Sequence, residues 1–294
     1  MAQTGWTTTD MPDLDGGTVI VTGANSGIGL EAARAFAAHG AHVVLAVRDT
    51  AKGRSAAPTV TGSVEVRELD LADLASVRRF ADDWSGDIRL LVNNAGVMAP
   101  PLMRTADGFE LQFGTNHLGH FALTAALIEH VTDRVVTVSS LAHRAGRIDF
   151  VDPNWHDRKY QRWAAYGQSK LANLLFTLEL QARLTHAGSR VIATAAHPGF
   201  SATNLQGRFD SGLAAKVTAL GNRVFAQDAA SGALPTLFAA TASVRPGAYV
   251  GPSGVGQSRG APRVVGSTTA AEDSDVARRL WTMSEELTGV TARV

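Results

Sequence analysis

The stretch Thr22-Gly23-Ala24-Asn25-Ser26-Gly27-Ile28-Gly29 constrains the fold of this chain more than any other. It follows the apolar run Thr18-Val19-Ile20-Val21 and leads into residues 30–38, whose alanine-rich composition and spacing predict a helix. Strand, glycine turn and helix therefore follow in order. Glycine has no Cβ, so the backbone can turn sharply and lie against a pyrophosphate, whose charge is then held by free N–H groups at the helix N-terminus. Gly23, Asn25, Ser26, Gly27, Ile28 and Gly29 are the candidate phosphate-binding residues. Glycine-rich turns are common, and it is the flanking strand and helix that give this one force.

Residues 41–47 read as a second, largely buried strand, set off from the helix by Gly40 as a C-cap, which completes a βαβ unit. A dinucleotide site that prefers NAD places an acidic residue at the end of that strand to bond the ribose hydroxyls; here Arg48 follows Val47, and a cation suits a 2′-phosphate. The alternative is a solvated arginine at a strand end. Residues 64–69 alternate like a strand and end at Asp70-Leu71, where Asp70 could hold an adenine amino group; Asp73 then begins a helix with Leu74, Val77, Phe80, Ala81 and Trp84 on one face. Residues 88–92 form a short strand that stops at Asn93-Asn94-Ala95-Gly96. Small and amide residues there let a backbone pass close to a ligand, although a plain strand-end turn would have the same composition.

A helix is expected from Gly108 to near His130, with Asn116 inside it. Residues 135–138 form a strand ending in Ser139-Ser140, and the polar stretch 143–163 reads as a loop with a turn at Asp152-Pro153-Asn154. The long helix that follows puts Tyr166 and Lys170 on one face, four residues apart. A strand over 190–196 is ended by His197-Pro198-Gly199, residues 248–250 are the candidate last strand, and a last helix spans 273–287. Residues 201–226 are a candidate lid and 251–269 a surface loop. Strands alternate with helices throughout, which predicts an α/β fold: a single Rossmann-type, doubly wound parallel sheet with helices on both faces. No linker divides the 294 residues, so one dinucleotide-binding domain is expected, with its core over 16–250 and a C-terminal loop and helix over 251–294.

Composition removes several classes of function. Lys plus Arg (27) balances Asp plus Glu (27), and no basic run carries interleaved aromatics, so nucleic acid is not an expected partner. With no cysteine there can be no disulfide, thiolate metal site or cysteine nucleophile. Residues 1–16 lack an apolar segment of signal-peptide length and no later run could span a bilayer, so the expectation is a cytoplasmic protein without a membrane anchor. His117 and His120 lie one turn apart, but without an acidic partner or an H-E-x-x-H pattern they read as packing or hydrogen-bonding residues, and no metal site is expected. Gly256-Gln257-Ser258-Arg259-Gly260 has the form of a hydrolase elbow, yet no histidine follows it.

Thr22-Gly23-x3-Gly27-x-Gly29, Asn93-Asn94-Ala95-Gly96, Asn116, Ser140, Tyr166-x3-Lys170 and Pro198-Gly199 together resemble the short-chain dehydrogenase/reductase superfamily, in order and approximate spacing over residues 16–250. More narrowly, Ala46-Val47-Arg48-Asp49, Asn116-His117-Leu118-Gly119-His120-Phe121, Ser139-Ser140-Leu141-Ala142-His143 and Ser169-Lys170-Leu171-Ala172-Asn173 resemble its retinol-dehydrogenase-like branch. Animal members of that branch often carry an N-terminal membrane anchor; none is expected here, which counts against a membrane-derived retinoid substrate.

The resemblance implies an oxidoreductase acting on a small-molecule alcohol or carbonyl, with NADP(H) preferred over NAD(H). It implies that Tyr166 donates the proton, that Lys170 lowers the phenol from its ordinary pKa of about 10 and bonds the nicotinamide ribose, that Ser140 holds the substrate oxygen, and that Asn116 keeps a relay water in line. Asp70, Leu71, Asn93, Ala95, Gly96, Pro198 and Gly199 would complete the cofactor site together with Arg48, Tyr166, Lys170 and the glycine loop. Singly, each catalytic candidate also fits a plain structural role: a helix surface for Tyr166 and Lys170, a strand end for Ser140, a helix residue bonding its own backbone for Asn116. Tyr160 lacks a lysine four residues on. Two other functions compete: a dinucleotide-binding sensor or scaffold without turnover, and a sugar-nucleotide epimerase, which would need a larger C-terminal substrate domain. A homo-oligomer formed through the helices of Asn116 and Tyr166 is open, and the loop before Tyr166 or the C-terminal tail could block that face.

Overall fold

The computed structural model describes residues 5–199 and 228–293. Its centre is one eight-stranded sheet: β1 (Thr18–Thr22), β2 (His42–Val47), β3 (Ser63–Glu68), β4 (Ile88–Asn93), β5 (Val131–Val138), β6 (Ile192–Ala196), β7 (Tyr249–Pro252) and β8 (Pro262–Val264). The spatial order is β3-β2-β1-β4-β5-β6-β7-β8, parallel throughout except for β8. The strand order reverses between β1 and β4, and a sheet of this kind opens its ligand crevice at that reversal, beyond the carboxyl ends of the strands.

The apolar runs of β1 and β2 follow from burial on both sides. Val19, Val21, Val43 and Leu45 enter a core with Ala33 and Phe36 of helix α1 (Gly27–Ala38), whereas Ile20, Val44 and Ala46 face the opposite way. A strand covered on both faces has no polar side to alternate with. Acidic caps set helix starts: Asp49 accepts from Lys52 N at 3.0 Å to begin α2 (Thr50–Ala56), Asp73 from Ala75 N at 2.9 Å to begin α3 (Leu74–Asp82), and Asp273 from Val276 N at 3.0 Å to begin the last helix, Ser274–Thr288. Among the described residues no helix is long and apolar enough to cross a membrane.

Four expectations change. First, the helix expected from Gly108 starts later, because Gly108 has φ +86 and the Glu110 carboxylate caps Gln112 N and Phe113 N at 3.0 and 2.8 Å. It then runs as α4 (Leu111–Phe113), a π-helical segment Gly114–Leu118 and α5 (Gly119–Leu127). Second, residues 251–269 are not only a surface loop: β8 pairs antiparallel with β7 through Val250↔Val264, Gly251↔Arg263 and Pro252↔Pro262. Proline on an edge strand leaves its missing N–H on the open side. Third, a helix occupies Ala229–Thr241, started by Asp228 accepting from Ser231 N at 2.7 Å, where the sequence reading assigns no element. Fourth, β5 begins at Val131, ahead of the apolar run at 135–138. The lid expected over 201–226 lies outside the described residues.

Helix α5 sits close to the sheet's crevice because Gly119 allows it. A Cβ at Gly119 would lie 2.3 Å from the Leu71 carbonyl oxygen, a backbone atom that cannot swing aside. Gly119→Ala should therefore destabilise the fold by about 2 kcal/mol, the usual cost of overpacking. Urea unfolding checks this, and an unchanged midpoint would show that the helix shifts freely.

Candidate active site

The glycine loop is shaped by steric necessity at two points. Gly23 has φ +68 and a Cβ there would lie 3.0 Å from Ala95 Cα; a Cβ at Gly29 would lie 2.4 Å from Asn94 Nδ2 and 2.8 Å from Gly23 O. Ser26, at the N-cap of α1, makes no capping bond through its side chain, so it does not consume the first-turn amides. Those amides, pointing out of a helix N-terminus beside residues without side chains, suit a pyrophosphate.

Thr22 stitches this loop to the end of β4. Its hydroxyl accepts from Asn94 N and Ala95 N, each at 2.9 Å, and Asn94 Nδ2 donates to Thr22 O at 2.7 Å. Asn93 turns its amide inward, donating to Thr124 Oγ1 at 2.9 Å, and is buried. Asn94, which the sequence reading did not single out by itself, thus braces the loop, while Asn93 packs behind it. Leu71 is buried against Gly119. Asp70 accepts from Ala72 N at 2.9 Å. Arg48 lies exposed just past β2, with no hydrogen-bond or ion-pair partner among the described residues.

Asn116 does not bond its own backbone through its side chain. Oδ1 accepts from Val97 N at 2.8 Å, and Nδ2 donates to Val97 O at 2.9 Å and to Ser169 Oγ at 3.0 Å. The chain past Gly96 is thereby clamped to the helix of Tyr166, α6 (Arg162–His186). A Cβ on Gly96 would stand 3.1 Å from Asn116 Oδ1 and 3.6 Å from Lys170 Nζ, so these three residues meet at one point. Asn116 lies in the π-helical segment, where Gly119 N reaches Gly114 O five residues back. Such widened turns recur at functional sites. Periodicity could not reveal this one, but Gly114 and Gly119, which border it, were a signal: a Cβ at Gly114 would lie 2.4 Å from Thr105 Cγ2.

Ser140 follows β5 and caps the short turn Leu141–Ala145, accepting from Ala142 N at 3.2 Å. Ser139 Oγ donates to Lys170 O at 2.7 Å, and Lys170 Nζ donates to Val138 O at 3.0 Å, which ties α6 to the end of β5. Lys170 Nζ stands 5.8 Å from the centre of the Tyr166 ring. Both side chains are buried, at 4% and 8% exposure. Burial pushes the Lys170 ammonium down to about 8. Burial also pushes the Tyr166 phenol up to about 12, and the Ser140 hydroxyl opposes this. The expectation of a lowered phenol is corrected here: desolvation of the phenolate outweighs its partners, and the lysine spends its bond on Val138 O.

Behind Ser140 lies a layer that the sequence reading missed. His143 Nδ1 bonds Ser140 O at 2.7 Å, and the Tyr249 ring packs on His143 and His197 at 5.5 and 5.1 Å between centroids. Gly251 is required there, since its Cβ would fall 2.0 Å from His197 Nε2. His197 Nδ1 in turn accepts from Gly199 N at 3.2 Å, which fixes the Pro198-Gly199 bend. Tyr160 is engaged elsewhere, donating to Glu110 at 3.0 Å and accepting from Gln112 Nε2 at 2.9 Å. His117 meets Ser284 Oγ at 2.9 Å and His120 meets Thr22 Oγ1 at 2.9 Å, the hydrogen-bonding roles expected of them.

Residues 17–213 match the sequence model of the family described as short chain dehydrogenase. The chain is 43% identical to human retinol dehydrogenase 13 over 298 residues, covering 95% of this chain and 86% of that protein. It is similar in fold to the crystal structure of an uncharacterized protein from Mycobacterium Paratuberculosis, with TM-score 0.88 and 52% identity over 99% of this chain and 100% of that one. A Beutenbergia cavernae protein solved with NADP bound at low occupancy is 28% identical, with TM-score 0.59 over 78% of this chain and 91% of that one.

Proposed function

The chain belongs to the short-chain dehydrogenase family, a family of dinucleotide-dependent oxidoreductases, and from that premise we propose that it interconverts an alcohol and a carbonyl compound using NADP(H). The observation that carries the proposal is the meeting of Gly96, Asn116 and Lys170 at the sheet's crevice, with Tyr166 and Ser140 beside them. The residues present fit a dinucleotide: Gly23 and Gly29 let the turn pack tightly on Asn94 and Ala95, which sets the N-terminus of α1 with first-turn amides that Ser26 does not cap and that suit a pyrophosphate, and Arg48 offers a cation for a 2′-phosphate. The dinucleotide would supply the hydride.

The chain's own residues handle the proton and the charge. A carbonyl gaining a hydride becomes an alkoxide, and donors placed at its oxygen gain strength as that charge develops. Ser140 Oγ would hold the oxygen and Tyr166 Oη would release its proton to it. Lys170, whose ammonium stands 5.8 Å from the centre of the Tyr166 ring, would stabilise the phenolate left behind. Asn116 holds the Val97 backbone, which keeps Gly96 close to Lys170 and makes the place of a side chain there tight. Trp163 is 59% exposed and stands edge-on to Tyr166, 6.3 Å between centroids, so an exposed aromatic surface lies beside the proposed proton donor. Together with the likeness to human retinol dehydrogenase 13, this supports a small or medium-sized, fairly apolar substrate.

Following NADPH oxidation against a panel of aldehydes and ketones tests the reading. Tight NADPH binding without consumption across the panel would instead favour a sensor. Because Lys170 loses its proton near pH 8, carbonyl reduction should hold steady below that pH and decline above it. Lys170→Arg, charged at all working pH values, should remove that decline from whatever activity it keeps. A profile that falls identically in both proteins would assign the limb to another group.

A further inference from the structure

The proton count at Thr22 decides how the buried ring of His120 is used. A threonine hydroxyl has one proton and two lone pairs. One lone pair of Thr22 Oγ1 is taken by Ala95 N at 2.9 Å and the other by the hydrogen of Asn94 N, which it shares with Val92 O (2.9 and 3.0 Å), while the Asn116 carbonyl facing His120 Nδ1 can only accept; the ring therefore donates from Nδ1 and the hydroxyl proton is left for Nε2. His120 Nε2 lies at 2.9 Å, closer than the alternative acceptor, Val92 O, at 3.4 Å. Nε2 is then the unprotonated nitrogen, and Nδ1 carries the hydrogen that it donates to Asn116 O at 3.0 Å. The ring is 1% exposed, and burial lowers its pKa to about 4, which keeps this one tautomer in place through neutral pH.

We propose that His120 is a positioning residue that sets the glycine loop and the π-helical turn of Asn116 at a fixed separation, one ring nitrogen holding Thr22 and the other the Asn116 carbonyl. The hydrogen bonds close a circuit. Thr22 fixes the amides of Asn94 and Ala95, the chain continues through Gly96 to Val97, Val97 is held by the Asn116 side chain, and His120 returns from the Asn116 carbonyl to Thr22. A rigid five-membered ring spans the two sites better than two independent bonds to water would, because neither contact can lengthen without tilting the other. This inference rests on the oxidoreductase reading for its kinetic consequence and on geometry alone for its tautomer.

Two substitutions cut the ends separately. The amide of His120→Asn reaches the position of Nδ1 and keeps a donor for Asn116 O, while that of His120→Gln reaches the position of Nε2 and keeps an acceptor for Thr22. His120→Asn is expected to weaken NADPH binding about tenfold with kcat retained, and His120→Gln to lower kcat about tenfold with NADPH binding retained, the worth of one buried bond each. A purely structural histidine would give the same loss in both variants, following their melting temperatures, and that result overturns the proposal. Nitrogen-15 NMR of labelled histidine reads the wild-type tautomer directly: protonation at Nδ1 supports it and protonation at Nε2 overturns it. The NMR result stands even if no carbonyl is ever reduced, so failure of the oxidoreductase reading is seen separately, as absent NADPH consumption by the wild-type protein.

Discussion

Tyr166→Phe is expected to lower carbonyl reduction by roughly a thousandfold, in the middle of the range for loss of a general acid, while leaving NADPH affinity nearly unchanged. The substitution removes one oxygen and keeps the ring. That ring is 8% exposed and packs edge-on with Trp163, so the surrounding packing has no reason to move. With its pKa pushed up to about 12, the phenol is protonated at every pH at which the protein would be assayed, which suits it to give a proton rather than take one. The reverse oxidation, which needs the phenolate, should gain rate as pH rises. Stopped-flow or steady-state NADPH consumption, with binding followed by fluorescence, separates chemistry from affinity. If Tyr166→Phe retained more than about a tenth of the wild-type rate, the proton would have to come from elsewhere, since a misassigned acid leaves the factor of Brønsted catalysis intact.

The positions of the candidate catalytic side chains in the fold were legible in the sequence, but their electrostatics were not. Tyr166 and Lys170 could be placed on one helix face from their four-residue spacing, and Ser140 at a strand end, because period and strand boundaries are local properties. The rise of the phenol pKa depends on how much of the chain closes over it, which no local pattern records. The same distinction runs through the fold. Strands β1, β2 and β4 announced themselves as apolar runs because both faces are buried. The start of β5 did not, because Asp133 and Arg134 interrupt it. Arg134 is nevertheless buried, donating to Ala239 O at 2.7 Å and Ala242 O at 3.0 Å and so completing the carbonyl end of helix Ala229–Thr241. That helix in turn escaped notice because Pro235 stands inside it. Both charged residues that interrupt β5 are engaged with partners far off in the sequence, Asp133 with Arg89 at 3.9 Å and Arg134 with Ala239 and Ala242.

Arg48→Ala should remove most of a preference for NADPH over NADH. An arginine bonding a phosphate is worth about 2 kcal/mol, close to a thirtyfold difference in affinity. The neighbouring acid cannot take the part that an NAD-preferring site assigns to a carboxylate, because it is already committed. Asp49 caps α2 through Lys52 N at 3.0 Å and pairs with Lys52 Nζ at 2.5 Å, and these contacts hold its carboxyl below the usual carboxylate range. Its charge is therefore largely offset by Lys52, and what remains at the end of β2 is the exposed cation of Arg48, which has no partner among the described residues. NADH, which lacks the 2′-phosphate, should bind the variant much as it binds the wild type. Because the contact is at the surface, added salt should narrow the gap between the two cofactors in the wild type and leave the variant unaffected. Titrations of both cofactors at low and high salt read all of this; equal affinities in the unmodified protein would end the assignment, and a variant that lost both cofactors alike would make Arg48 a structural support of the loop instead.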